Sequence, residues 1–216
     1  MEVIKWFIEF VLHIDKHLSV IVATYHTWSY LILFTIIFCE TGLVVTPLLP
    51  GDSLLFAAGA IAATGSLSYP VLIVIVLCAA FAGDNTNYFV GKLLGKKIYE
   101  KDYKLIKKDY IIKTHNFYEK HGCKTVIIAR FIPIIRTFAP FVAGAGSMKY
   151  PRFIAFSIIG TAMWTFTFVS LGYFLANNAF VKSHFYIVVL ALILIPAIPA
   201  VYTFLKHAFA KKKASL

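Results

Sequence analysis

Apolar residues run almost unbroken along most of this chain, and the polar interruptions carry the information. In residues 1–18, Glu2, Lys5, Glu9, His13 and Lys16 recur at three- and four-residue spacing between Trp6, Phe7, Phe10, Val11 and Ile14. That is the pattern of an amphipathic helix, lying on a membrane surface or packed on the rest of the protein. Residues 29–46 are apolar apart from Glu40, then comes Pro47-Leu-Leu-Pro50-Gly51-Asp52, and residues 53–64 are apolar again. As a helix, 53–64 would reach only about 18 Å, short of a hydrocarbon core of ~30 Å. Residues 29–64 are therefore predicted to form a broken, re-entrant hairpin, with non-helical backbone shielded inside the protein.

The stretch 70–91 is long enough to cross a membrane. Residues 92–124 then hold ten of the chain's lysines, and are predicted to be a basic loop. The segment 125–147, TVIIARFIPIIRTFAPFVAGAGS, repeats the earlier oddity: a short apolar arm, breaks at Pro133 and Pro140, two charges, and a second short arm. Spans at 151–177 and 184–206 follow, then a basic tail at 207–216. The stretches LLPGDSLLFAAGA and PIIRTFAPFVAGAG each place a break before a small-residue arm, and each precedes a full span. A hairpin-plus-span unit repeated after one crossing must be inverted. The predicted fold is an all-α integral membrane domain: an inverted repeat of re-entrant hairpin plus transmembrane helix, with an N-terminal amphipathic segment (1–28) and a C-terminal transmembrane helix. Proline-interrupted segments in matching positions of two halves point to a transporter's binding site.

Composition agrees. With 60% hydrophobic and 14% charged residues, and a mean hydropathy of +0.79, the chain departs from soluble domains, which carry roughly 25% charged residues. The net charge of +11 does not suggest nucleic acid, because the lysines cluster beside apolar spans, where they mark the cytoplasmic side and attract anionic lipid. This puts the 92–124 loop and the C-terminus in the cytoplasm, opens the first hairpin outward and the second inward, and makes the protein multi-pass. Glu2 and Glu9 stand where a signal peptide carries basic residues, so the N-terminal segment is expected to be retained. Cys39, Cys78 and Cys123 imply no disulfide and no metal site.

The charges inside the apolar segments are sorted by sign. Between residues 29 and 91 they are Glu40, Asp52 and Asp84; between 125 and 148 they are Arg130 and Arg136. Charge in hydrocarbon is costly and is by default functional, so Glu40 and Asp52 are expected to face Arg130 and Arg136 across the two hairpin tips. The plainer reading is a pair of ion bridges fastening the repeats, although apolar packing would serve stability as well. Asp52 also suits a helix N-cap after Pro50-Gly51, and Asp84 with Asn87 suits a polar path or an interhelical bond. Eighteen of the twenty-one basic residues are lysine, yet both intramembrane bases are arginine. The arginine fork stays ionised and grips phosphate bidentately. A phosphate group is thus expected rather than a metal ion or other cofactor.

The stretches CETGLVVTPLLPGDSLLFAAGA, GDNTNYFVGKLLG and HNFYEKHGCKTVIIARFIPIIRTFAPFVAGAG, followed by YPRF, resemble the bacterial DedA family, of the VTT or SNARE-associated class. The similarity weakens after Asn177. It implies an inner-membrane protein of the scramblase-like fold, acting in recycling of undecaprenyl phosphate and in proton-dependent transport. The family's required residues match Glu40, Asp52, Arg130 and Arg136. The expected function is a non-enzymatic, proton-linked flippase of polyprenyl phosphate, with Arg130 and Arg136 binding the anionic lipid and Glu40 and Asp52 carrying protons. A proton-coupled cation antiporter is the alternative. A phospholipid scramblase or a lipid phosphatase ranks below it, since the seven histidines lie outside the spans or at their edges. A homo-oligomer is compatible with the sequence.

Overall fold

The computed structural model describes residues 14–43, 51–100, 122–146 and 148–176, with isolated positions between 178 and 191. The described residues form helices and no strands. These are α1 (Ile14–Tyr25), α2 (Trp28–Gly42), α3 (Gly51–Ala63), α4 (Tyr69–Glu100), α5 (Thr125–Ala129, after a 3-10 turn at Gly122–Lys124), α6 (Pro133–Ala145) and α7 (Tyr150–Leu175). Two of them, α4 through Leu94 and α7, are long and apolar enough to cross a membrane; α2 and α3 are apolar but shorter.

Contacts fix the helix directions. The long helices α4 and α7 are antiparallel, since Tyr69 meets Tyr173 and bonds Ser170 while Tyr88 stacks on Phe153. Helix α2 runs with α4: the Ser68 N–H donates to Tyr30 Oη at 2.7 Å, and Gly42 abuts Gly83. Helix α3 runs with α7, with Asp52 at Trp164 and Gly59 at Val169 and Tyr173. Consequently α2 and α3 point in opposite directions. Helix α6 runs with α4, with Thr137 at Asn87 and Gly144 at Tyr88 and Lys92.

The tight crossings come in matched sets. Where Gly59 faces the Val169 carbonyl and the Tyr173 N–H, Gly144 faces the Tyr88 carbonyl and the Lys92 N–H. Where Gly172 faces the Phe56 carbonyl, Gly91 faces the Phe141 carbonyl. The sequences concerned are FAAGA (56–60) and FVAGA (141–145). At all four glycines an added Cβ would strike backbone, so only glycine lets these helices approach this closely. The second short helix of each half, α3 or α6, therefore packs on the long helix of the other half. The core between them contains Leu33, Ile37, Leu55, Leu72, Val76 and Phe168.

Several boundaries differ from those expected. Pro140 does not break the second pair; it lies inside α6. The break is at Arg130–Ile132, where Ile132 is extended and Pro133 opens the next helix, the first-turn position at which a missing N–H costs nothing. Packing of the flanking buried residues Phe138, Ala139, Phe141 and Val142 overrides the local penalty of Pro140. Helix α4 continues to Glu100, into the stretch expected to be loop from 92, because lysine and leucine are good helix formers and Gly95 alone does not stop them. Asp52 is not an N-cap but lies within the first turn of α3. Of residues 1–28, α1 packs on the body through Leu18 and Val22. Pro47, Pro50, most of the basic loop, the last span and the tail lie outside the described residues.

Gly59→Leu and Gly144→Leu should each lower the thermal midpoint in detergent, by the 1–3 kcal/mol or more that overpacking costs, and to a similar extent. Gly65→Asn should be nearly silent, because that site has φ +84° and open space around it and asparagine tolerates such a backbone. Unequal responses of the two crossings would contradict their equivalence.

Candidate functional site

The first helix–break–helix pair ends its helix at Gly42, beside Gly83, and restarts at Gly51. The second stops at Ala129 and restarts at Pro133. These interrupted ends reach the long helices near their middles, at Gly83 and Asp84 of α4 and at Gly160 and Trp164 of α7. Helix ends leave N–H and C=O groups without helical partners, and polar side chains fill the gap. The Gly51 N–H at the start of α3 donates to Glu40 Oε1 at 3.2 Å. Asn87, fully buried, donates from Nδ2 to the carbonyls of Thr41 (3.2 Å) and Thr137 (2.7 Å), tying α2 and α6 to α4. An added Cβ at Gly51 would collide with the Glu40 carboxylate, which explains glycine there.

Arg136, one turn into α6, divides its fork between the two acids of the first pair. Nη2 donates to Glu40 Oε1, and Nη1 donates to Asp52 Oδ1 at 2.5 Å. The same Asp52 oxygen accepts from Trp164 Nε1–H at 2.8 Å. Arg130 goes elsewhere: its Nη2 donates to Asp84 Oδ2, which also accepts from Ser157 Oγ–H at 2.6 Å. The two arginines meet at one indole, with Cζ of Arg130 5.7 Å and Cζ of Arg136 5.6 Å from the Trp164 ring, within cation–π range.

The expected sorting of charges thus needs one correction. Glu40 and Asp52 both serve Arg136, while the partner of Arg130 is Asp84, whose second bond to Ser157 makes it a counter-ion rather than a general polar lining. Asn87 is a structural tie. Trp164 and Ser157 were not singled out from sequence. Their only signal is the recurrence of Ser157, Thr161 and Thr165 every fourth residue in an apolar span, with Trp164 beside that stripe.

Burial is graded across the site. The side chains of Glu40, Asp84 and Arg130 are 1%, 5% and 6% exposed, those of Arg136 and Asp52 10% and 15%. Hydrogen-bonding capacity remains unused: among the described residues Glu40 Oε2, Arg130 Nε, Ser53 Oγ, Asn87 Oδ1, Thr161 Oγ1 and Thr165 Oγ1 are buried without a partner. Buried polar groups are normally satisfied, so these atoms are the unused donors and acceptors of this region. If all five charged side chains are ionised, three carboxylates against two guanidiniums leave one negative charge in excess.

With this geometry in place the comparisons are informative. The family profile for the VTT domain matches residues 49–174. The chain is 47% identical over 218 residues to Protein DedA of Escherichia coli (strain K12), covering 100% of both chains. It is 39% identical over 185 residues to an uncharacterized membrane protein of Mycobacterium tuberculosis (strain H37Rv), covering 84% of this chain and 81% of the other. Inner membrane protein YqjA of Escherichia coli (strain K12) is 33% identical over 150 residues, 69% of this chain and 68% of its own. No solved structure matches. The chain belongs to the DedA family of VTT-domain membrane proteins.

Removing one member of the Arg136 cluster should cost far more than neutralising it whole. Arg136→Gln leaves two buried carboxylates without their base and should destabilise the protein by about 3–5 kcal/mol. Combining it with Glu40→Gln and Asp52→Asn should restore most of that loss. Thermal denaturation of the two purified variants in one detergent is the check.

Proposed function

We propose that this DedA-family protein carries a polyprenyl phosphate across the bacterial inner membrane, with proton movement linked to the transfer. The carrying observation is the pair of buried arginines at Trp164, each neutralised by carboxylates, midway along two long apolar helices. In this reading α2–α3 and α5–α6 are re-entrant hairpins of an inverted repeat. The first opens at the Tyr69 end of α4, the extracytoplasmic side, and the second at the Lys92 end, the cytoplasmic side. The lipid phosphate enters the polar centre between them while its isoprenoid tail stays in the bilayer. Similarity to inner membrane protein YqjA of Escherichia coli supports an inner-membrane location.

Charge arithmetic links the phosphate to protons. The resting site already holds one carboxylate more than it has bases, and an arriving phosphate adds at least one further negative charge. When the phosphate takes Arg136, Glu40 and Asp52 lose their counter-ion in a low-dielectric site, where an unpaired charge is prohibitive. Proton binding relieves this. Release of the phosphate returns Arg136 to its carboxylates and expels the proton. Such co-movement also offsets the inside-negative potential, which opposes inward anion transfer by ~2.3 kcal/mol per charge per 100 mV. The excess carboxylate equally suits a cation antiporter; proton-coupled cation flux in liposomes free of lipid phosphate would favour that reading.

Two outcomes follow in liposomes carrying labelled polyprenyl phosphate. Arg136→Lys keeps the charge but cannot span Glu40 and Asp52 with a planar fork, so transport should fall at least tenfold relative to the parent, a loss of about 1.4 kcal/mol; Lys124→Ala, on an exposed turn, should leave it unchanged. Glu40→Gln should bind lipid yet lose its response to an imposed proton gradient. A parental response in that variant removes Glu40 as the coupling group.

A further inference from the structure

We propose that the polar centre contains two anion stations in series, an outer one at Arg136 and an inner one at Arg130, and that Asp84 is the counter-ion that keeps the inner station closed until ligand arrives. This rests on the phosphate reading above and adds an order of events and a gating residue to it. Both guanidiniums lie against the same indole, so they are no farther apart than the sum of their distances to it. A phosphate leaving one arginine thus meets the other within the same cluster, with Trp164 touching both.

The two stations differ. Each acid takes one bond besides its arginine, Glu40 from the Gly51 N–H and Asp52 from Trp164 Nε1–H, so the difference lies in access: Asp52, at 15% exposure, is the most accessible charged group of the five. The inner acid is bonded by Arg130 and by Ser157 from α7, and there both charges are at most 6% exposed. Arg130 nevertheless keeps an unused donor: Nε is buried and partnerless among the described residues. One turn along α7 from Ser157, the buried Thr161 hydroxyl is also partnerless. A structural ion pair would be expected to use the arginine fork fully. A station built to receive an anion leaves a donor facing where that anion binds, and its carboxylate competes for the remaining ones. Gly160 lets α5 and the Arg130 stem lie close to α7, since an added Cβ would stand 3.1 Å from Ile127 Cα and 3.3 Å from Arg130 Cδ.

The competition makes an unusual prediction, because removing a buried partner should strengthen ligand binding. Farnesyl phosphate, a short polyprenyl phosphate, is titrated against the full chain and Asp84→Asn in detergent, and its transport is followed in liposomes. Asp84→Asn should bind about tenfold more tightly and transport more slowly, since the phosphate is held at Arg130. A merely structural Asp84 would instead lose binding and thermal stability together, and that result overturns the proposal, as does unchanged affinity. If the single variant does not fold, Asp84→Asn with Arg130→Gln leaves a neutral pair in the same space. It should bind at parental affinity through Arg136 and fail to transport; parental transport overturns the inner station. If the parent itself does not bind farnesyl phosphate, the phosphate reading falls. A parent that binds, with an Asp84→Asn variant that binds no more tightly, removes the inner station alone.

Discussion

The guanidinium of Arg136, divided between Glu40 and Asp52, is the contact on which the arrangement depends. It joins three helices from both repeats, α2, α3 and α6, at the point where each helix pair is interrupted. A buried ion pair seldom improves on apolar packing for stability, but losing one member is severe. The breaks in the helices are tolerable because these side chains surround them: Glu40 accepts from the Gly51 N–H, and Asn87 bridges the carbonyls of Thr41 and Thr137. Broken backbone and buried charge thus solve one another's problem.

How much of this was legible in the sequence depends on whether the cause was local. Five charged side chains in apolar runs announce themselves, because burying them is costly wherever they go. The glycine-rich ends FAAGA and FVAGA announced the repeat for the same reason, as small residues in matching places. Pairing was not legible. Arg130 and Asp84 are 46 residues apart, and their meeting depends on the angular register of α4 against the stop of α5, which no local pattern encodes. Trp164 was invisible for a similar reason: an aromatic residue in an apolar span looks like lipid-facing or core packing until two cations stand over it. Pro140 misled in the other direction, a strong local signal overridden by burial of the residues around it.

The inner and outer ion clusters also show how a pseudo-symmetric frame carries an asymmetric site. By the register of the glycine crossings, Gly51 of α3 stands where Arg136 stands in α6, and Thr165 of α7 stands where Asp84 stands in α4. The frame repeats while the chemistry does not: acids come from one repeat, bases from the other. Neither half alone contains a neutral set of charges.

The exchange of partners between repeats, with α3 on α7 and α6 on α4, bears on how the chain is made. During synthesis the first repeat emerges with Glu40, Asp52 and Asp84 and with neither of the surfaces that later cover α3 or balance those acids. Its short second helix lacks the surface it packs on until α7, which begins at Tyr150, has been made. Neither half has its full set of contacts before α7 is made, because α3 lies on α7 and the acids of the first half are paired by bases of the second.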